Sequence, residues 1–212
     1  MKSLKIKVCG MRDTQNIADL LELPIDYIGF IFYEKSPRYV ASMPQLIDSI
    51  KFEKINKVGV FVNADIDFVL DKITKFDLNT AQLHGKETPQ YIRDLRIKNA
   101  KIDIWKAFSI DEQFDFDATK PYEGLANAFL FDTKTPQHGG SGQKFNWDLL
   151  NDYRGQTPFF LSGGISAADT EGVNSITHSE FSGLDLNSKF EISPAFKDVK
   201  LLEKFFNSVL FS

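Results

Sequence analysis

The chain has 212 residues, 42% of them hydrophobic, enough for a sizeable buried core; one α/β domain of about 200–250 residues is the simplest organisation. Its net charge is −4 and no basic block stands out, which disfavours nucleic-acid binding but leaves room for a compact anionic metabolite. The one cysteine, Cys9, excludes a disulfide framework and a zinc ribbon, no apolar run nears the roughly 18 residues of a membrane span, and the first residues lack a secretory signal, so a cytoplasmic protein is expected.

Apolar runs of strand length alternate with helix-like segments along the chain. The expected strands are Leu4–Cys9, Tyr27–Phe32, Lys57–Val62, Thr80–Leu83, Ile102–Ala107, Ala128–Phe131, Pro158–Leu161 and Gly183–Leu186. Between them, apolar spacing near 3.6 predicts helices over Asn16–Leu23, Pro44–Ile50, Ile66–Ile73, Pro89–Ile97 and Val199–Leu210. Asp13 or Thr14, Asp65 and Thr88 stand where helix caps belong. The stretch Ser109–Gly124 is acidic and turn-rich, and Thr170–Ser179 is short for a full helix. About eight β-α units in this length predict a (β/α)8 TIM barrel, a single domain over residues 1–212. An open doubly wound sheet would call for an early G-x-G-x-x-G, and the first strand ends KVCGMRD instead.

Barrel chemistry sits at the C-terminal ends of strands, and alternation along a strand tells which side chains face inward. On the first strand Ile6 and Val8 face the helices and send Lys7 and Cys9 inward. A neighbouring ammonium favours thiolate, so the Cys9 thiol is expected below its usual range and suited to act as a base. Arg38 follows Pro37, which restrains the backbone and aims the guanidinium. Gln82 and His84 share a face opposite Leu83 and suit hydrogen bonding to a substrate; with no second histidine or cysteine nearby, no metal is expected there. On the sixth strand Ala128, Leu130 and Asp132 share the inner face, and Asp132 is followed by the glycine-rich stretch Thr133–Gly142, expected to order over bound ligand. Gly163 and Gly164 after strand seven, and Asn187 and Ser188 after strand eight, stand where barrels bind phosphate, with Asn187 and Ser188 opening a short extra helix.

Taken together, KVCGMRD, SPRYV, VGVFVN, QLHG, FDTKTPQHGGSGQKFNW, LSGGI and GLDLNSKFEISPAFKD resemble the phosphoribosylanthranilate isomerase family of tryptophan biosynthesis, in the family's order and over nearly the whole chain. The resemblance implies a ribulose-phosphate-binding barrel. Such an enzyme isomerises N-(5-phosphoribosyl)anthranilate by an Amadori rearrangement that needs no metal or cofactor, and the family leans towards a monomer. It also implies roles: Cys9 as general base, Asp132 as general acid, Arg38 on the anthranilate carboxylate, and Asp185 near the sugar hydroxyls. The phosphate would rest on Gly142, Gly163, Gly164, Asn187 and Ser188. Many members carry glycine where this chain has Lys189, and a lysine there adds positive charge beside the phosphate. A histidine-pathway isomerase would place an aspartate where Cys9 stands. A barrel that only binds a phosphorylated ligand would have no use for both Cys9 and Asp132.

Overall fold

A computed structural model describes residues 4–40, 52, 54–133 and 144–209. Eight parallel strands close into a barrel: β1 (Lys5–Cys9), β2 (Tyr27–Ile31), β3 (Asn56–Phe61), β4 (Thr80–Leu83), β5 (Asp103–Ile110), β6 (Ala128–Thr133), β7 (Phe159–Leu161) and β8 (Phe181–Leu186). Each pairs with its neighbour in sequence, and β8 returns to β1 with Lys7 opposite Asp185. All eight expected strands are present, with ends shifted by a few residues. The largest shift is β5, which continues to Ile110 because its end pairs with the end of β6, Ser109 against Asp132 and Ile110 against Thr133.

Helices of the first half follow their caps. In α1 (Thr14–Leu21) the Asp13 side chain accepts from the Asn16 amide at 2.8 Å. In α3 (Pro89–Lys98) Thr88 accepts from the Tyr91 amide at 3.2 Å, and Pro89 opens the helix with its preset φ. Asp65 does precede α2 (Ile66–Lys75) but its side chain makes no capping bond, which corrects the role expected of it. The expected helix at Pro44–Ile50 lies outside the described residues.

The second half is built differently. Phe116–Tyr122, with Pro121 inside it, and Trp147–Asp152 are 3-10 turns, while α4 (Thr170–Asn174) has only five residues. Aromatic side chains cover the sheet where long helices are missing. Phe131 sits 4.9 Å from Phe159 and 5.3 Å from both Phe116 and Tyr153, ring centre to ring centre. Burying each such ring stabilises the fold by about 1.5–3 kcal/mol relative to leaving it in water. The final helix α5 (Val199–Val209) buries Leu202, Phe205, Phe206 and Val209 and completes the outer layer.

Inside the barrel, Trp105, Ala107, Ala128, Leu130 and Phe160 form an apolar plug, with half-buried Tyr27 packed against it and Trp105 stacked on Phe160 at 4.4 Å. These are the inward positions of their strands, and on β6 and just past β7 the next inward residues, Asp132 and Ser162, are polar. The plug is therefore the floor of a site at the C-terminal end.

Candidate active site

Above the plug lies a cavity of about 410 Å³ that collects residues from the ends of nearly every strand. Cys9, Arg38, Gln82, His84, Asp132, Gly163, Gly164, Asp185, Asn187 and Ser188 all line it, so ten of the expected site residues come together in space. The eleventh, Gly142, lies outside the described residues, as do residues 134–142 of the stretch Thr133–Gly142 expected to order over ligand. Lys189 also lines the cavity and is exposed.

Cys9 ends β1 facing inward, buried to 4% exposure. Its sulfur packs against β2 so closely that a Cβ on Gly29 would stand 2.6 Å from Sγ; only glycine leaves the thiol its room. Lys7, one inward position below, is fully buried, and its Nζ donates to Asp185 Oδ1 at 2.8 Å. Burial alone would lower the Lys7 ammonium, but Asp185 and Cys9 outweigh it and hold it above its ordinary value. The thiol behaves otherwise than expected. Burial pushes Cys9 up, Lys7 pulls it back, Asp185 pushes it up again, and the net direction is above its ordinary range. Only the adjacent residue Lys7 is visible in the sequence; complete burial and the Asp185 carboxylate are properties of the closed barrel.

Asp132, the next-to-last residue of β6, lies on the inner face and is 9% exposed. Its Oδ2 lies 3.1 Å from His84 Nε2, and His84 Nδ1 lies 2.9 Å from Gln82 Nε2. If the Gln82 amide donates to Nδ1, the proton of the neutral imidazole sits on Nε2 and points at Asp132. Gln82 and His84 thus form a rail that orients the carboxylate, and Gln82 Oε1 is buried with no partner. From the other side β7 presses close. Gly163 holds φ +90, and a Cβ there would stand 2.4 Å from the Thr133 amide and 2.7 Å from Asp132 Oδ1. With Gly164 at φ +69, the turn suits glycine alone and leaves backbone N–H groups beside the cavity.

Arg38 comes from the loop after β2 and reaches a cluster the sequence reading missed. Its guanidinium is paired with Glu191, which also accepts from Lys197; Glu191 and Lys197 belong to a small antiparallel hairpin, β9 (Glu191–Ser193) and β10 (Phe196–Lys197). Nothing between Ser188 and Val199 has a periodicity that announces this hairpin. Asn187 and Ser188 do open a one-turn 3-10 helix, Ser188–Phe190, as expected of an extra helix after strand eight. Ile31, Val60, Val62 and Ile165 form the apolar wall, and in the sequence they look like any other apolar residues. The alternation of β2 and β3 could have found the first three.

The arrangement offers an acid or base on each of two well-separated strands, a guanidinium, glycine-lined amides and an apolar wall. This suits an aromatic, phosphorylated substrate that exchanges protons at two carbons or oxygens. Comparison with known proteins agrees. A family model described as N-(5'phosphoribosyl)anthranilate (PRA) isomerase matches residues 6–208. The chain is 44% identical over 207 residues to the N-(5'-phosphoribosyl)anthranilate isomerase of Parabacteroides distasonis, covering 97% of this chain and 93% of that one. It is 41% identical over 204 residues to the enzyme of the same name from Phocaeicola vulgatus, covering 96% and 97%. The crystal structure of phosphoribosyl anthranilate isomerase from Thermotoga maritima matches the fold with a TM-score of 0.82 at 27% identity, over 97% of this chain and 98% of that one.

Proposed function

The chain belongs to the N-(5'-phosphoribosyl)anthranilate isomerase family, and from that membership we propose which side chains perform its reaction. The enzyme converts N-(5-phosphoribosyl)anthranilate to 1-(o-carboxyphenylamino)-1-deoxyribulose 5-phosphate, an Amadori rearrangement in tryptophan biosynthesis. The roles rest on one observation: Cys9 and Asp132 face the same cavity from β1 and β6, with β7 and β8 between them.

Asp132 is the general acid. Its proton goes to the furanose ring oxygen as the C1–O bond breaks, and the anilino nitrogen's electron pair makes the C1–N double bond of an iminium. His84, held by Gln82, keeps the carboxyl aimed at that oxygen. Cys9 is the general base. As thiolate it removes the C2 proton; the C–H electrons form the C1–C2 double bond and neutralise the nitrogen, and the resulting enolamine tautomerises to the ketone. Burial resists the thiolate, so its charge must be supported by the Lys7 and Lys197 ammonium groups and by the iminium's own positive charge, which appears only after ring opening. Ring opening thereby prepares the base that the next step needs.

Arg38 takes the anthranilate carboxylate, Asp185 the sugar hydroxyls, and the aromatic ring lies on Ile31, Val60 and Val62. The phosphate rests on the amides of Gly163, Gly164, Asn187 and Ser188, with Lys189 adding charge at the rim; Gly142, outside the described residues, is the further phosphate residue that the resemblance implies. The family resemblance leans towards a monomer as the working unit, and the mass in solution by light scattering tests it.

A fluorescence assay that follows consumption of freshly made substrate tests the central assignment. Cys9→Ala and Asp132→Asn should each lower kcat by about 10²–10⁴ while the proteins stay folded. Turnover near wild type in either variant overturns the role given to that residue.

A further inference from the structure

Arg38 is held at the cavity by a chain of contacts that begins on the far side of the barrel wall. Asn16 of α1 fixes the Lys197 backbone from both sides, accepting its N–H at 2.7 Å and donating to its carbonyl at 2.9 Å. Lys197 is 1% exposed, and its Nζ donates to Glu191 Oε1 at 2.6 Å and to Asn187 Oδ1 at 2.8 Å. Ala195, in the left-handed region at φ +68, turns its amide onto the same Glu191 oxygen at 3.1 Å. Glu191 then receives Arg38 on both oxygens, Nε at 2.9 Å and Nη2 at 2.6 Å. Burial would raise the Glu191 carboxyl, but Arg38 and Lys197 outweigh it and hold it below its usual range, so the acceptor is ionised at neutral pH.

A guanidinium has two edges that match a carboxylate with parallel hydrogen bonds, Nε with one Nη, and the two Nη together. Glu191 takes the first edge. We propose that Glu191 is the positioning residue of Arg38: by occupying the Nε edge it fixes the plane of the guanidinium and presents the Nη1–Nη2 edge to the substrate's aryl carboxylate, and so sets the preference for a carboxylate-bearing aglycone. The inference rests on the reading of Arg38 as the carboxylate clamp. An untethered arginine has several rotatable bonds to immobilise on each binding event. A tethered one has already lost that freedom, so the tether should tighten binding without changing the chemical step.

The test compares Glu191→Gln, Glu191→Asp and Arg38→Met with wild type, on N-(5-phosphoribosyl)anthranilate and on the N-phosphoribosyl aniline that lacks the carboxylate. Thermal melting of each variant confirms folding. Glu191→Gln is expected to raise KM for the natural substrate about ten- to thirtyfold with kcat within about threefold, and to shrink the preference over the aniline analogue. Glu191→Asp, which keeps the charge, should recover part of that preference, and it carries the test should Glu191→Gln fail to fold. If Arg38→Met leaves the preference intact, the clamp reading itself fails. If Arg38→Met abolishes the preference but Glu191→Gln leaves it unchanged, only the positioning role is overturned. A lower KM in Glu191→Gln would make Glu191 a competitor of the substrate, and would also overturn it.

Discussion

Two buried lysine–carboxylate pairs lie on opposite sides of the barrel sheet, and they do different work. Lys7 and Asp185 face inward; their side chains are 0% and 5% exposed and lie 2.8 Å apart. Lys106 of β5 points outward to Glu87, at 4% and 1% exposure and 3.2 Å. The Lys106 ammonium also donates to the carbonyls of Leu83 at 3.2 Å and Gly85 at 2.7 Å, so fixed protein acceptors surround it. Glu87 is equally committed, accepting from the amides of Asn63 at 2.7 Å and Gly85 at 3.0 Å. That pair clamps the loop after β4, the loop that carries His84. The Lys7 pair instead borders a reactive thiol and a cavity. Its positive charge is shared between Asp185 and, to a lesser degree, Cys9, whereas the charge of Lys106 is consumed by structure. Burial lowers Lys106 below its ordinary value despite Glu87, while Lys7 is held above its own.

The sharpest way to break this comparison is Lys7→Met. It removes the cation nearest the thiol, so kcat should fall about 10- to 100-fold, and the limb of the pH–rate profile that reports Cys9 ionisation should move to higher pH. An unmoved limb would show that Lys7 serves Asp185 alone. Lys106→Met should do the converse. It leaves Glu87 buried without its cation and should cost about 3–5 kcal/mol in urea unfolding, with kcat of the folded fraction within a few-fold. The double variant Lys106→Met/Glu87→Leu should regain part of that stability, whereas Lys7→Met/Asp185→Leu should regain no activity. The smallest effect is in alkaline melting. Lys7 is raised in the fold, so its contribution is complete below the unfolded value of 10.5 and is lost as pH climbs through the folded one. Lys106 is lowered, so the unfolded chain holds the proton more tightly and stability rises with pH towards 10.5. As pH climbs above 10.5, the penalty of Lys7→Met should shrink. The penalty of Lys106→Met should instead grow as pH rises towards 10.5.

Much of this was legible in the residues. Alternation alone sent Lys7 and Cys9, Gln82 and His84, and Asp132 inward, because a strand's side chains have a strict period of two and the apolar partners Ile6, Val8, Leu83, Phe129 and Phe131 had to meet the helices. Glycines at 163 and 164 were conspicuous because no packed helix start asks for two in a row. What stayed hidden has a common physical cause. Lys106 sits mid-strand like Lys7, and nothing local says that its acceptors are carbonyls from a loop some twenty residues earlier. Glu191 and Lys197 stand in a short segment with no periodicity, and their meaning depends on Arg38, 153 positions away from Glu191. The rise of the Cys9 thiol came from closure, since burial and Asp185 act only once β8 has returned to β1.

The sequence by itself determined the eight-strand repeat, the inward set and the family resemblance, because period, turn chemistry and strand-end residues are written locally. Tertiary structure decided the electrostatics. Which lysine serves a thiol and which a loop, which carboxylate tethers Arg38, and in which direction each group titrates all depend on distances of 2.6 to 3.2 Å between residues far apart in the chain. At that range, in a site shielded from water, a charge is defined by its neighbours rather than by its residue type.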